Sequence, residues 1–497
     1  MKLRSLLLVL CIGFAPTLAH ADVKPNALCT EGMVLQQKSA AKLWGTADKG
    51  EGVSVSFRGK SADTKADDNG NWVVAVDTGA AGGPFELTIK GNNTISYKDI
   101  LVGEVWICSG QSNMEANVGS YIKSDDLPYA KAAPRNPMLR TFNVKRNPQM
   151  EPQTETGGKW IDADPKTVGS FTAVGYFFGR NLQENLKVPV GLIHTSWGGT
   201  RIETWMSKSA LEATGFKITD PKDFGPNTRS SLYNGMLRPL LNYQVKGAIW
   251  YQGESNAGNA YQYRTLHPAM IENWRADFKN PDLAFYFVQL APYGNTPKTP
   301  GDSNWAELRE AQTMTLKLKN TGMAVITDFG SEYDIHPTPK RPVGERLALA
   351  ARAQTYGEKI VYSGPLFKSA KFADGKVVLS FDHVGGGLVS KEMVPTLERK
   401  NKDGSTSAAA YRVKEGSSND GSLVGFTICG KDMKFQTALG EIVGNTVVVS
   451  CSKVADPIAV RYGWANHPMC NLFNREGLPA SPFRTDSFPG ITQPKQQ

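Results

Sequence analysis

The 497-residue chain, 40% of it hydrophobic, is long enough to bury roughly two or three cores, and its formal charge of +9 is mild for 54.1 kDa. The lysines are dispersed rather than gathered in a run, so a solvated surface is expected and nucleic-acid binding is not. Neither HExxH, CxxC nor any other spaced His/Cys group occurs, which argues against a structural or catalytic zinc, and no metal or cofactor is expected.

At the start of the chain Lys2 and Arg4 precede an apolar run from Leu6 to Phe14, and Leu18-Ala19-His20-Ala21 supplies a small-x-small cleavage site. Residues 1–21 therefore read as a secretory signal peptide. No run approaches the roughly 20 apolar residues of a membrane helix, so an exported protein, periplasmic or extracellular and without a membrane partner, is expected. Cys11 lies inside the signal, and Leu10 before it is a poor lipoprotein cleavage residue. The remaining cysteines, Cys29, Cys108, Cys429, Cys451 and Cys470, are odd in number and scattered. Cys429 and Cys451 bracket a strand-like stretch, but the fold is not expected to rest on disulfides.

From residue 22 to about 100, short strand-like segments (VSVSFRG, NWVVAVDT, FELTIKG) are separated by the turn signals DDNGN and GAAGGP, the pattern of a small β-sandwich. From Leu101 to about 360 the rhythm changes. Apolar strands at Glu104 to Cys108, Leu139 to Val144, Val190 to His194, Lys246 to Tyr251, Leu283 to Gln289 and Met323 to Thr327 alternate with helix-length stretches. One helix is expected from Phe171 to Leu186, with Phe171, Val174, Phe178 and Leu182 on one face. Others are expected near Tyr261 to Phe278, Trp305 to Leu318 and Val343 to Ala353. This alternation predicts a three-layer α/β domain with a parallel sheet. From 361 to 497 the strands VVLSFDH, LVGFTICG, TVVVSC and IAVRYGW predict a closing β domain.

Ligands of an open parallel sheet bind beyond the carboxyl ends of its strands, so the segments there matter most. VWIC is followed by SGQSNM, VGLIH by TSWGGTR, AIWY by QGESNA, and AVIT by DFGSEYDIHP. Ser112 follows a strand and opens a helix, which suits a nucleophile whose oxyanion meets free N–H groups, although a helix-capping serine is the bland alternative. Of the few histidines, His336 has Asp334 two residues earlier and suits a general base, with Asp328 as the rival orienting acid; His194 is expected to be packed and hydrogen-bonded. Gly198-Gly199 offers backbone donors and Gln252 a side-chain amide. Glu254 is expected to hold neighbouring loops, or else to serve as an acid or base. Arg201 either clamps a substrate carboxylate or pairs with Glu203.

Several blocks in order, GMVLQQ with KLWGTA, VGEVWICSGQSNME, PVGLIHTSWGGTRIETWM, LYNGMLRPL, IWYQGESNA, DIHP with GERLALAA, and AVRYGWANHPMCNLFNREGLPASPFRTD, resemble the sialate O-acetylesterase family of SGNH hydrolases. The resemblance covers nearly the whole chain after the signal. It implies a metal-independent serine esterase that removes O-acetyl groups from an acetylated carbohydrate through an acyl-enzyme. Ser112 then matches the nucleophile, His336 the base and Gly199 the oxyanion glycine, while Gln252 replaces the usual oxyanion asparagine, with Asn256 as the fallback. Asn113, Arg201, Glu254 and Asn256 complete the set expected to face substrate. GQS stands where the superfamily has GDS, QGESNA where it has GxND, and Asp334 lies two rather than three residues before His336, which leaves Asp334 and Asp328 both open as the acid. Acetylated xylan is an alternative substrate, and non-catalytic carbohydrate binding is the alternative of another class.

Overall fold

The computed structural model describes residues 22–119, 126–217, 219–400, 406–414 and 422–494; the signal peptide expected at 1–21 lies outside them. The α/β region is built on a sheet whose strands lie in the order Trp160–Ala163, Asn136–Asn143, Val190–Ser196, Thr94–Gly110, Gly247–Tyr251, Ala284–Val288, Thr321–Ala324. All neighbours run parallel except Trp160–Ala163, a short antiparallel edge strand that its four residues left unrecognised in the sequence. The Val190–Ser196 and Gly247–Tyr251 neighbours end level with Thr94–Gly110, since both Ser196 and Tyr251 lie opposite Gly110. Later strands are added on both sides of Thr94–Gly110, so its carboxyl end is a switch point of the kind that receives ligands.

The sheet is buried on both faces because alternate side chains serve different helices. Trp106 packs on Phe178 of helix Ala173–Leu186 and on Tyr286, with ring centroids 5.1 and 5.8 Å apart. Phe285 and Phe287, pointing the other way from Tyr286, meet Trp274 and His267 of helix Ala260–Asp277 at 5.6 and 4.7 Å. Helix Arg341–Gln354 lies against Ala173–Leu186, closely enough that a Cβ on Gly344 would stand 2.6 Å from the Val174 carbonyl oxygen. Helix Asn304–Thr315 packs beside Ala260–Asp277. Strands between helical layers, flanked by β regions, match the fold class expected.

Thr94–Gly110 is a single 17-residue strand. Its first part pairs antiparallel with Gly82–Lys90, Leu101–Gly103 pairs with Val34–Gln36, and its last residues enter the parallel sheet. The boundary expected near residue 100 thus runs through continuous strand, and one hydrophobic core extends from Val23 to Ala351. The C-terminal β region has its own core around Val377, Leu379, Phe426, Val447, Val449 and Tyr462. It also reaches back to the site: strand Phe329–Ser331, just before Asp334, pairs with Thr406–Val413. All five of Cys29, Cys108, Cys429, Cys451 and Cys470 are unbridged.

Candidate active site

The strand Thr94–Gly110 ends in a sharp turn that presents Ser112. Gly110 has φ +136°, and a Cβ there would stand 2.1 Å from the Tyr251 carbonyl oxygen, so the turn requires glycine. Gln111 occupies the N-cap position and Ser112 opens the short helix Ser112–Glu115. Ser112 is therefore not the capping residue, and its N–H is one of the orphan donors of a helix start. Among the described residues neither the Ser112 nor the Gly199 amide donates a hydrogen bond.

His336 Nε2 lies 2.9 Å from Ser112 Oγ, although the two are 224 residues apart. Its Nδ1 lies 3.1 Å from Asp334 Oδ1, the same oxygen that accepts the His336 backbone N–H at 2.8 Å. Asp334 is 60% exposed, so its charge acts through partly screened space. The rival Asp328 is buried and engaged elsewhere: its two oxygens accept from Arg346 Nη1 and Nη2 at 2.7 and 2.6 Å. His194 is packed, with Nδ1 3.1 Å from Asn143 Oδ1 and Nε2 2.6 Å from Ser196 Oγ, and burial pushes it down to about 4.

Several residues expected at the site are engaged by protein partners. Gln252 is fully buried; its Nε2 donates to Thr200 O at 3.1 Å and Asn256 Oδ1 at 2.7 Å, and its Oε1 accepts from Tyr263 OH at 2.8 Å. Both amide hydrogens are engaged in this arrangement, which ties Gln252 to the loop carrying Gly199. Asn256 joins the brace: its Oδ1 also accepts from Ile202 N at 2.9 Å and its Nδ2 donates to Glu203 Oε2 at 2.9 Å. Glu203 is thereby engaged with Asn256, and Arg201 instead directs Nη2 to the carbonyls of Thr219 and Asn227, each at 3.3 Å. Gly198 N–H donates to Glu115 Oε2 at 2.8 Å, which leaves Gly199 as the open amide of the pair.

Asn113 and Glu254 are likewise engaged by neighbouring protein groups. Asn113 Nδ2 donates to Glu254 Oε1 at 2.6 Å and to Ile335 O at 3.1 Å, tying the helix of Ser112 to the loop of His336. Its Oδ1 accepts from Lys340 Nζ at 2.5 Å. Lys340 is buried, with its ammonium 5.5 Å from the Tyr251 ring centroid, and burial pushes it down to about 7 against the pull of Glu254, Asp334 and Asp126. Burial likewise raises Glu254, opposed by the Asn113 hydrogen bond and the Lys340 charge. Glu254 Oε1 links the loop after Gly247–Tyr251 to Asn113, while its buried Oε2 has no hydrogen-bond partner among the described residues. Lys340 was not anticipated: in PTPKRPVGER it reads as one more solvated cation, and contacts as distant as Asn113 and Tyr251 enclose it. Among the described residues no group of three or more His, Cys, Asp or Glu side chains is placed to hold a metal ion.

Residues 102–353 match the carbohydrate esterase family of sialic acid-specific acetylesterases. The chain is 32% identical to human sialate O-acetylesterase over 514 residues, covering 92% of each, and 33% identical to the mouse enzyme over 424 residues, covering 70% of this chain and 77% of that one. The crystal structure of a carbohydrate acetylesterase from Xanthomonas citri, 41% identical, superposes with a TM-score of 0.82 over 94% of this chain and 100% of that one. With the family match spanning the α/β region and relatives aligned almost end to end, the chain belongs to the sialic acid-specific acetylesterase family of carbohydrate esterases.

Proposed function

We propose that the chain is an exported enzyme that hydrolyses O-acetyl esters on sialic acids by a Ser112–His336–Asp334 acyl-enzyme route. The observation that carries this reading is the 2.9 Å approach of His336 Nε2 to Ser112 Oγ at the switch point of the sheet. His336 takes the Ser112 proton as Oγ attacks the acetyl carbonyl, and Asp334 orients the imidazole and stabilises its charged form. The Ser112 and Gly199 amides hold the oxyanion. Collapse of the tetrahedral intermediate expels the sugar hydroxyl, which leaves with the proton from His336; water activated by the same imidazole then frees acetate from Ser112. Asn113, Glu254 and Lys340 keep nucleophile and base in register from beneath.

The substrate class is supported by the family and by the human relative, and export by the charged, apolar and small-residue pattern of residues 1–21. Ser112→Ala and His336→Ala are expected to abolish 4-nitrophenyl acetate turnover, and near wild-type turnover by either rejects the mechanism. Acetate release measured side by side on O-acetylated sialic acid and acetyl-xylan tests the substrate; faster release from xylan replaces it. Fractionation of the producing cells tests export.

A further inference from the structure

The mouth of the site carries a second arginine besides Arg201. Arg146 follows strand Asn136–Asn143, so the chain delivers it to the carboxyl edge of the sheet. Its Nη2 donates to Glu115 Oε1, its guanidinium carbon lies 4.9 Å from the Trp197 ring centroid, and its side chain remains 52% exposed. Both neighbours belong to the reaction centre. Glu115 closes the helical turn opened by Ser112 and fixes Gly198, where a Cβ would stand 3.2 Å from Ser112 Cβ. Trp197 donates its backbone N–H to Gly110 O at 3.1 Å.

An ion pair this exposed adds little to folding, so stability is a weak reason for the arrangement. A guanidinium carries five N–H donors in a planar fork. One goes to Glu115, and among the described residues no other hydrogen bond engages Arg146. The two Glu115 oxygens are already held, one by Gly198 N–H and one by Arg146 itself. The Trp197 ring lies against the guanidinium, and Nε and Nη1 are left for a second acceptor. A preoriented, partly solvated guanidinium beside a nucleophile is a receptor for a planar anion, above all a carboxylate. Arg201, less exposed and turned to the Thr219 and Asn227 carbonyls, is the poorer candidate.

We propose that Arg146, held by Glu115 and Trp197, receives the carboxylate of an acidic sugar whose O-acetyl group lies at Ser112, and so separates acetylated sialic acids from acetylated neutral sugars. The assignment rests on the reading of Ser112 as the nucleophile of an acetylesterase. The test is kcat/KM on an O-acetylated sialic acid and on its carboxyl methyl ester, for wild type, Arg146→Gln, Arg146→Lys and Arg201→Gln. The wild type is expected to favour the free acid roughly 10- to 100-fold, Arg146→Gln to bring that ratio within about threefold of unity, and Arg146→Lys to keep part of it. Taking the ratio removes any effect that Arg146→Gln exerts on both substrates through Glu115 and Gly198. A wild-type ratio near one, a preference that survives in Arg146→Gln, or one that disappears in Arg201→Gln instead overturns the assignment. Failure of the underlying reading has another signature, full turnover of 4-nitrophenyl acetate by Ser112→Ala, and it overturns the assignment as well.

Discussion

Replacing Asp328 with Asn and, separately, Asp334 with Asn separates two carboxylates that the spacing around His336 leaves in competition. Asp328 accepts two hydrogen bonds from Arg346, which also donates to Val325 O at 2.7 Å, and the Arg346 and Asp328 side chains are only 11% and 5% exposed. Asn leaves the guanidinium buried with one oxygen where it had two and with its charge uncompensated. Breaking a buried pair from one side costs about 3–5 kcal/mol. At roughly 2–4 °C per kcal/mol, Tm falls by about 6–20 °C. Asp334→Asn removes a charge 3.1 Å from His336 Nδ1 but in a side chain that is 60% exposed. The asparagine oxygen still accepts the His336 N–H, so Tm should move by under about 0.5 kcal/mol equivalent, as for most surface changes. Coulomb attraction at this range, between the limits for bulk water and for a protein surface, gives about 1.4–2.7 kcal/mol of support for the imidazolium and a loss of about 10- to 100-fold in kcat. Both variants are to be melted and assayed on 4-nitrophenyl acetate well below the lower Tm. Asp328→Asn that melts like wild type yet has lost turnover, with Asp334→Asn fully active, refutes the assignment.

If Gln252 braces the Gly199 loop rather than meeting the oxyanion, Gln252→Met lowers stability by about 1–3 kcal/mol through unpaired partners; a kcat loss above about 100-fold at unchanged Tm marks it instead as a donor. Fully buried His267, against Phe287 and with Nδ1 3.1 Å from Thr315 Oγ1, is pushed down to about 3 by burial. The unfolded chain therefore binds a proton below about pH 6.5 that the folded chain refuses, and stability falls as pH drops from about 6.5 toward 3, by at most roughly 4–5 kcal/mol. His267→Met should flatten the acid limb of Tm against pH, and an unchanged slope contradicts the assignment. Because Cys29, Cys108, Cys429, Cys451 and Cys470 are all unbridged, dithiothreitol should leave Tm within about 1 °C of its value without reductant; a larger drop reveals a bridge.

The apolar strand cores were plain in the sequence because a strand buried on both faces reads as a continuous hydrophobic run, as in Gly247–Tyr251 and Ala284–Val288. Helix ends shifted by about one to three residues, as Tyr261 to Phe278 against Ala260–Asp277 and Trp305 to Leu318 against Asn304–Thr315. Ser112 and His336 could be picked out because each follows a strand, and strand ends converge. Asn113, Gln252, Glu254 and Asn256 follow strands too, yet they point into one another. Spacing places a polar residue near a site but does not say whether its hydrogen bonds are already satisfied by the loop next door, which depends on contacts as distant as Gln252 with Thr200. Lys340 and Arg146 carry no local signal at all. One is enclosed against Asn113 and Tyr251, and the other is brought to Trp197 by the order of strands in the sheet.

The strand Thr94–Gly110 joins what the turn pattern divides. At about 3.3 Å per residue it extends about 55 Å, embedded at one end in the antiparallel N-terminal sheet and carrying the turn of Ser112 at the other. The pairing with Gly82–Lys90 is irregular between Tyr97 and Val102, but the strand runs unbroken from one sheet into the other. Cutting at residue 100 would leave Leu101–Gly103 without its register with Val34–Gln36 and expose the flank of the strand on which Ser112 is mounted. A recombination or fusion point that respects this strand therefore lies outside residues 94–110.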